Sequence, residues 1–245
     1  MVKQARALRQ RKARAESGLF LVEGIHHVGE AIAAAWDIEA IIFAPEKLDG
    51  DFAKRLLSDF PGRTERVSLE VLQSIADKEN PQGILAVVRQ KRSSLGDIQT
   101  IRRAAALVSP QDPGNVGTIA RTLDAIGADG LFLLDGGADP YHPTAIRASM
   151  GALFWIPVIE ATFSAFNGWR LDVGSQLIGT CEAAGHDYRD FKPGPSWVLL
   201  LGSEQKGLTQ DQLQKCDVTI SLPMRGRSSS LNLAVAAGIF LYHLS

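Results

Sequence analysis

No apolar run in this chain approaches the roughly 20 residues that a membrane-crossing helix requires. The longest candidates, Trp197–Leu201 and the stretch 231–241, are far shorter or are broken by Gly238. A soluble protein without a membrane partner is expected. Cysteine is scarce: Cys181 and Cys216 are distant in sequence and neither has a Cys or His neighbour at metal-ligand spacing. That argues against a disulfide framework or a metal site and leaves two buried thiols as the expectation. The net charge is only −1, which argues against wholesale coating of nucleic acid. No Gly-x-Gly-x-x-Gly follows any apolar strand, so a dinucleotide oxidoreductase is disfavoured. No apolar stretch after the basic N-terminus could form the core of an export signal, so a cytoplasmic location is expected.

What is present suffices for two domains, since 45% of the 245 residues are apolar. The N-terminus carries Lys3, Arg6, Arg9, Arg11, Lys12 and Arg14 with no acidic residue among them. Such an arm either holds phosphates through Coulomb attraction and counterion release or is a solvated, frayed end. Residues 1–92 alternate short apolar runs (19–22, 40–43, 84–88) with helical stretches such as 28–35, which reads as a small α/β domain carrying a basic arm at 1–17. Residues 93–103 begin with polar turn formers and are assigned as a linker. From 104 to 245, strand candidates at 104–109, 131–134, 154–159, 177–180, 197–201 and 218–222 alternate with helical or irregular segments. That alternation predicts a mainly parallel sheet with helices on both faces and ligands at the C-terminal ends of its strands.

Three clusters fall at those ends. In the first, Pro110 to Arg121, a strand turns into a helix; Gly117 permits close approach, and Arg121 lies one turn further along the same face. The planar fork of Arg121 suits a phosphate, although an arginine on a solvated helix face has the same signature. The second cluster, Gly202-Ser203-Glu204-Gln205-Lys206-Gly207-Leu208-Thr209, imitates a P-loop, but Leu208 stands where that motif needs Lys. Thr209 and Gln212 form a capping box that predicts a short helix ending near Lys215. Glu204 then sits in a glycine-flanked loop, able to bind a ligand or to tie the loop together. In the third, Ile220 to Ala234, Ser230 is the expected helix N-cap. Asn232 would fall in the first turn of an apolar helix, where its amide needs a ligand or a local cap bond as partner.

Taken together, Asn115-x-Gly117-x-x-x-Arg121, Gly202-x-Glu204-x-x-Gly207 and Leu222-Pro223-Met224 through Ser230-Leu231-Asn232 resemble the three signature motifs of the SpoU (TrmH) family of the SPOUT superfamily, over roughly 106–245. Leu222 departs conservatively from the commoner Ile. The N-terminal part, with 18–24 and Pro81-Gln82-Gly83-Ile84, is similar to the family's substrate-binding domain, which is related to an RNA-binding ribosomal-protein fold.

The resemblance implies an RNA 2'-O-ribose methyltransferase using S-adenosylmethionine, a C-terminal trefoil knot, and a homodimer whose active site draws on both chains. It places cofactor contacts at Thr180, Leu201, Gly202, Ile220, Leu222, Met224 and Leu231, with no metal. It assigns positioning roles to Asn115, Glu204, Ser230 and Asn232. In the family's proposed mechanism the residue matching Arg121 deprotonates the ribose hydroxyl with help from an RNA phosphate. A guanidinium pKa above ~12 makes such a base costly, and anchoring phosphate while stabilising the developing alkoxide is the less demanding role. Ribosomal RNA is the favoured substrate. Transfer RNA, base methylation on the same fold, and a catalytically silent RNA-binding module are the alternatives. His26, His27, His142 and His186 lie outside the clusters. Trp36, Trp155, Trp169 and Trp197 read first as core, although an exposed one can stack on a base.

Overall fold

The computed structural model describes the whole chain except Asp49, Glu79 and Ala183. In chain order its helices are α1 (Val2–Ala7), α2 (Arg11–Ser17), α3 (Ile25–Ala33), α4 (Asp51–Asp59), α5 (Leu69–Ile75), α6 (Pro113–Ala125), α7 (Pro143–Ala148), α8 (Phe163–Asp172), α9 (Gln210–Lys215) and α10 (Leu233–Leu244). The strands are β1 (Leu19–Glu23), β2 (Ile38–Phe43), β3 (Thr64–Arg66), β4 (Ile84–Arg89), β5 (Arg103–Val108), β6 (Gly130–Leu134), β7 (Val158–Ala161), β8 (Gln176–Thr180), β9 (His186–Asp187), β10 (Trp197–Leu201) and β11 (Val218–Ser221).

The chain divides into two compact units, the first made of Met1–Lys91 and Asp139–Trp155. Its sheet has the order β1-β4-β2-β3, antiparallel except for the β2–β3 pair. Alternation along β1 explains its two layers. Leu19 and Leu21 join Ile42, Leu85 and Val87 in a core closed by Ala5 and Leu8 of the first helical turns and by Leu72 and Ile75 of α5. Phe20, between them, points to a second cluster with Trp36, Tyr141 and Phe154. That cluster draws residues 139–155 into this unit, whereas the sequence assigned them to the C-terminal domain. Arg14 helps: it is fully buried, binds Asp139 at 2.7 Å, and donates to the Leu8 and Arg9 carbonyls. The N-terminal segment is therefore folded into α1 and α2 and packed, rather than a frayed arm.

The second unit comprises Arg92–Ala138 and Ile156–Ser245. Its seven strands, in the order β7-β6-β5-β10-β8-β11-β9, pair in parallel throughout. On one face Ala104, Ala106, Phe132, Leu134, Val198 and Leu200 pack with Phe166 and Trp169 of α8. The alternate positions, Ala105, Leu107, Leu131, Leu133 and Leu199, are equally buried, and α6 and α10 pack on one another and on β6 and β10. A parallel sheet buried on both faces needs this continuous apolar character.

Two expectations are corrected in this unit. The assigned linker 93–103 belongs to the core: Leu95 and Ile98 pack on it, Ile101 is buried, and a 3₁₀ turn at Leu95–Asp97 is closed by a reciprocal Ser94–Asp97 capping box. Apolar residues three apart supplied the anchors that a linker lacks. The strand expected at 154–159 begins only at Val158, because Pro157 has no N–H for the ladder and Ala152–Phe154 forms a 3₁₀ turn.

Candidate active site

Strands β5, β10, β8 and β11 are neighbours, so the loops that follow them adjoin at one edge of the sheet. The first loop leads into α6, where Asp112 caps the helix by accepting from the Gly114 amide at 2.8 Å and Pro113 occupies the first turn. Asn115 follows in that turn and is buried at 6% exposure.

After β10 the chain folds back on itself. A Cβ on Gly202 would collide with the backbone of Gly207 and Leu208, so only glycine fits there. Gly207, at φ +65°, closes the turn with its amide on the Ser203 carbonyl at 2.9 Å. Thr209 and Gln212 then form the reciprocal capping box that starts α9. Glu204 is carried at the tip of this turn. Its carboxylate accepts from the Gln111 amide at 3.2 Å and from Asn115 Nδ2 at 3.1 Å.

The third loop ends at Asn232, which is the N-cap of α10, correcting the assignment of that role to Ser230. Its Oδ1 accepts from the Ala234 and Val235 amides at 2.9 and 3.3 Å. With Oδ1 so occupied, Nδ2 donates to Asn115 Oδ1 at 3.0 Å. An amide side chain offers acceptors only at its oxygen and donors only at its nitrogen. Backbone N–H groups at one end and a carboxylate at the other therefore fix the direction of the whole chain Asn232→Asn115→Glu204. Burial pushes the Glu204 carboxyl upward, but hydrogen bonds from its own amide, Asn115, Gln111 and Asp112 outweigh it and hold the group below its ordinary value. The acceptor end is thus an anion.

Among the other positions singled out from the sequence, Thr180 ties β8 to β10 through a bond from Oγ1 to the Leu200 carbonyl at 3.1 Å. Leu201 and Ile220 are buried strand ends, Leu222 and Met224 are half-buried, and Leu231 stands 40% exposed. From 223 to 231 the backbone makes no hydrogen bond to any described residue, leaving donors and acceptors beside these apolar side chains. Arg121 and Ser230 are not drawn into the hydrogen-bonded chain. Both are exposed, and neither side chain has a hydrogen-bond or ion-pair partner among the described residues.

One feature of the site had no recognised sequence signal. The Gln111 amide contributes through backbone, which residue identity does not encode. Its placement depends on Gly137, where a Cβ would strike Pro110, and on the Ala138 amide bonded to the Pro110 carbonyl at 2.6 Å. The pair Gly136-Gly137 after β6 was the available clue.

Residues 102–242 match the SpoU rRNA Methylase family, and residues 1–86 match the MRM3-like substrate binding domain. The chain is 32% identical to the 23S rRNA (guanosine(2553)-2'-O)-methyltransferase of Bacillus subtilis (strain 168), an alignment covering 99% of this chain and 95% of that protein. It is also 32% identical to the 23S rRNA (uridine(2479)-2'-O)-methyltransferase of Streptomyces viridochromogenes, over 96% of this chain and 85% of the relative. Its fold superposes with a TM-score of 0.89 on the crystal structure of an AdoMet-bound rRNA methyltransferase from Sinorhizobium meliloti, 35% identical, covering 99% of this chain and 92% of the other. The family match spans the three loops just described, the relatives align over almost the whole chain, and the chain belongs to the SpoU rRNA methylase family.

Proposed function

We propose that the chain transfers a methyl group from S-adenosylmethionine to a ribose 2'-hydroxyl of ribosomal RNA. The observation that carries this reading is the hydrogen-bonded chain Asn232→Asn115→Glu204, which joins all three motif loops at the ligand edge of the sheet. Full-length relatives named as 23S rRNA 2'-O-methyltransferases support ribosomal RNA over transfer RNA.

The loops suit the cofactor on this chain's own features. Glycine at 202 lets the turn fold tightly back on Gly207 and Leu208, the backbone of 223–231 has hydrogen-bonding groups unused among the described residues, and Leu222, Met224 and Leu231 offer apolar surface. These residues, with Thr180, Leu201 and Ile220, would hold the adenosine and methionine parts. When bound, the sulfonium supplies the electrophilic methyl group. Asn115, Glu204 and Asn232 keep the loops in register, because in-line transfer tolerates little misplacement. Ser230, whose side chain has no partner among the described residues, would orient the substrate. Arg121, exposed on α6 with no side-chain partner among the described residues, anchors an RNA phosphate and stabilises the developing alkoxide, a role suited to its permanent charge.

The same reading includes a homodimer in the cytoplasm, with Arg121 serving a site completed by a second copy. Val235 and Tyr242, seven residues apart on one face of α10, are 52% and 62% exposed and suit such an interface. It includes the C-terminal trefoil knot implied by the family. No described helix is long and apolar enough to cross a membrane.

Two measurements test the proposal. Calorimetric titration with S-adenosylmethionine should show binding, and incubation with labelled cofactor and unmodified ribosomal RNA, followed by nuclease digestion, should yield a 2'-O-methyl nucleoside. Label confined to bases, or label taken up only by transfer RNA in a parallel incubation, would refute the acceptor assignment.

A further inference from the structure

The four tryptophans divide sharply. Trp36 and Trp169 donate to the Phe154 and Ile98 carbonyls within packed clusters, and Trp197 is 2% exposed. Trp155, in the first unit, is 53% exposed. Its indole is nonetheless held in place: Nε1 donates to Glu30 Oε2 of α3 at 2.8 Å, and its amide bonds the Ala152 carbonyl at 3.0 Å. A half-exposed indole is thus tethered at its N–H edge, which limits how the ring can turn.

The turn leading to it takes two successive residues through positive φ. Met150 takes φ +50°, costly for a non-glycine side chain, and Gly151 takes φ +98°, where a Cβ would lie 2.6 Å from Glu30 Cγ. The result is that Met150, 47% exposed, is also turned outward, with its carbonyl 3.1 Å from the His26 Nε2 atom. His26 and Glu30 are four apart on α3, so one helix face brings an imidazole and a carboxylate beside the exposed apolar pair.

We propose that Trp155 is a stacking platform for an unpaired base of the RNA substrate, flanked by Met150, with Glu30 and His26 beside the polar edge of that base. Stacking on an aromatic face is the common means of holding a splayed-out RNA base. A small apolar area interrupted by a carboxylate and an imidazole suits a base, which has both a π face and a polar edge. It suits a protein partner less, since the centres of protein interfaces are depleted of charge. Residues 1–86, which include Glu30 and His26, match a substrate binding domain.

The inference rests on the RNA reading above, and the test separates the two. Full-length wild type, Trp155→Ala, Trp155→Phe and Glu30→Gln would be compared for affinity to unmodified 23S ribosomal RNA, for KM and kcat, for cofactor affinity and for oligomeric state. Trp155→Ala should weaken RNA binding about 5- to 150-fold, the range for losing one base–aromatic stack. The loss should appear in KM with kcat, cofactor affinity and oligomeric state unchanged, and Trp155→Phe should recover most of it. In the wild type, RNA should quench the exposed indole fluorescence and shield it from acrylamide. An unchanged RNA affinity for Trp155→Ala in an enzyme that methylates RNA overturns the stacking site alone. A change of oligomeric state with that variant overturns it in favour of a protein contact. A wild type that binds no RNA overturns both readings.

Discussion

Asn232 donates from Nδ2 to Asn115 Oδ1 at 3.0 Å, across 117 positions of sequence, while its own Oδ1 caps α10. One side chain thereby starts a helix and locks the orientation of a buried amide that in turn holds Glu204. The residue types are set by direction: each link needs a donor on one side and an acceptor on the other.

Asn232→Asp tests that direction with almost no change in shape. A carboxylate still caps the helix, but it places an acceptor against Asn115 Oδ1. Rotating the Asn115 amide merely moves the conflict to Glu204. One hydrogen bond to a charged group, worth about 1.5–3 kcal/mol, is lost. Methyl transfer should fall about 10- to 100-fold while circular dichroism shows the helices intact.

Gly202→Ala should be more severe than its single methyl suggests. The new Cβ meets backbone of Gly207 and Leu208 rather than a flexible side chain, so the loop itself must shift. A stability loss of about 1–3 kcal/mol is expected from overpacking. Thermal unfolding measures this loss, and calorimetry should show cofactor binding reduced along with it.

The Glu204 contribution should depend on pH in one direction only. Its folded value lies below the ordinary 4.5. The stability it contributes is therefore complete above 4.5 and is lost as pH falls through the depressed folded value. Melting curves of wild type and Glu204→Gln should differ by a constant amount at neutral pH and converge in acid.

Arg14→Met should destabilise the first unit. Asp139 would be left only part-exposed, without its charged partner, and the Leu8 and Arg9 carbonyls would lose their donor. Breaking a buried pair costs about 3–5 kcal/mol. A lower denaturation midpoint is the readout, with Asp139→Asn giving a loss in the same direction.

Local rules carried the sequence reading far. Strands at 19–22, 84–88 and 197–201 and the capping box at Thr209 and Gln212 all depend on neighbours in sequence, and all are present. Positions 115, 204 and 232 were legible as motif members, and the structure brings those three together. What was not legible depends on distant partners. Residues 139–155 join the first unit because Phe20 and Trp36 meet Tyr141 and Phe154. Ser230 and Asn232 are both good N-caps by type, and the choice between them follows from the long-range bond to Asn115. The close approach of Gly202 to Gly207 likewise appears only once the turn is folded.

The central claim, that the joined loops deliver a methyl group to a ribose faced by Arg121, is tested most directly by Arg121→Ala. The side chain is exposed and unpartnered among the described residues, so stability should change by less than about 0.5 kcal/mol. Cofactor affinity should match wild type, and 2'-O-methyl nucleoside recovered from digested 23S ribosomal RNA should fall to background. A variant that still produces the 2'-O-methyl nucleoside at the wild-type rate would contradict the account.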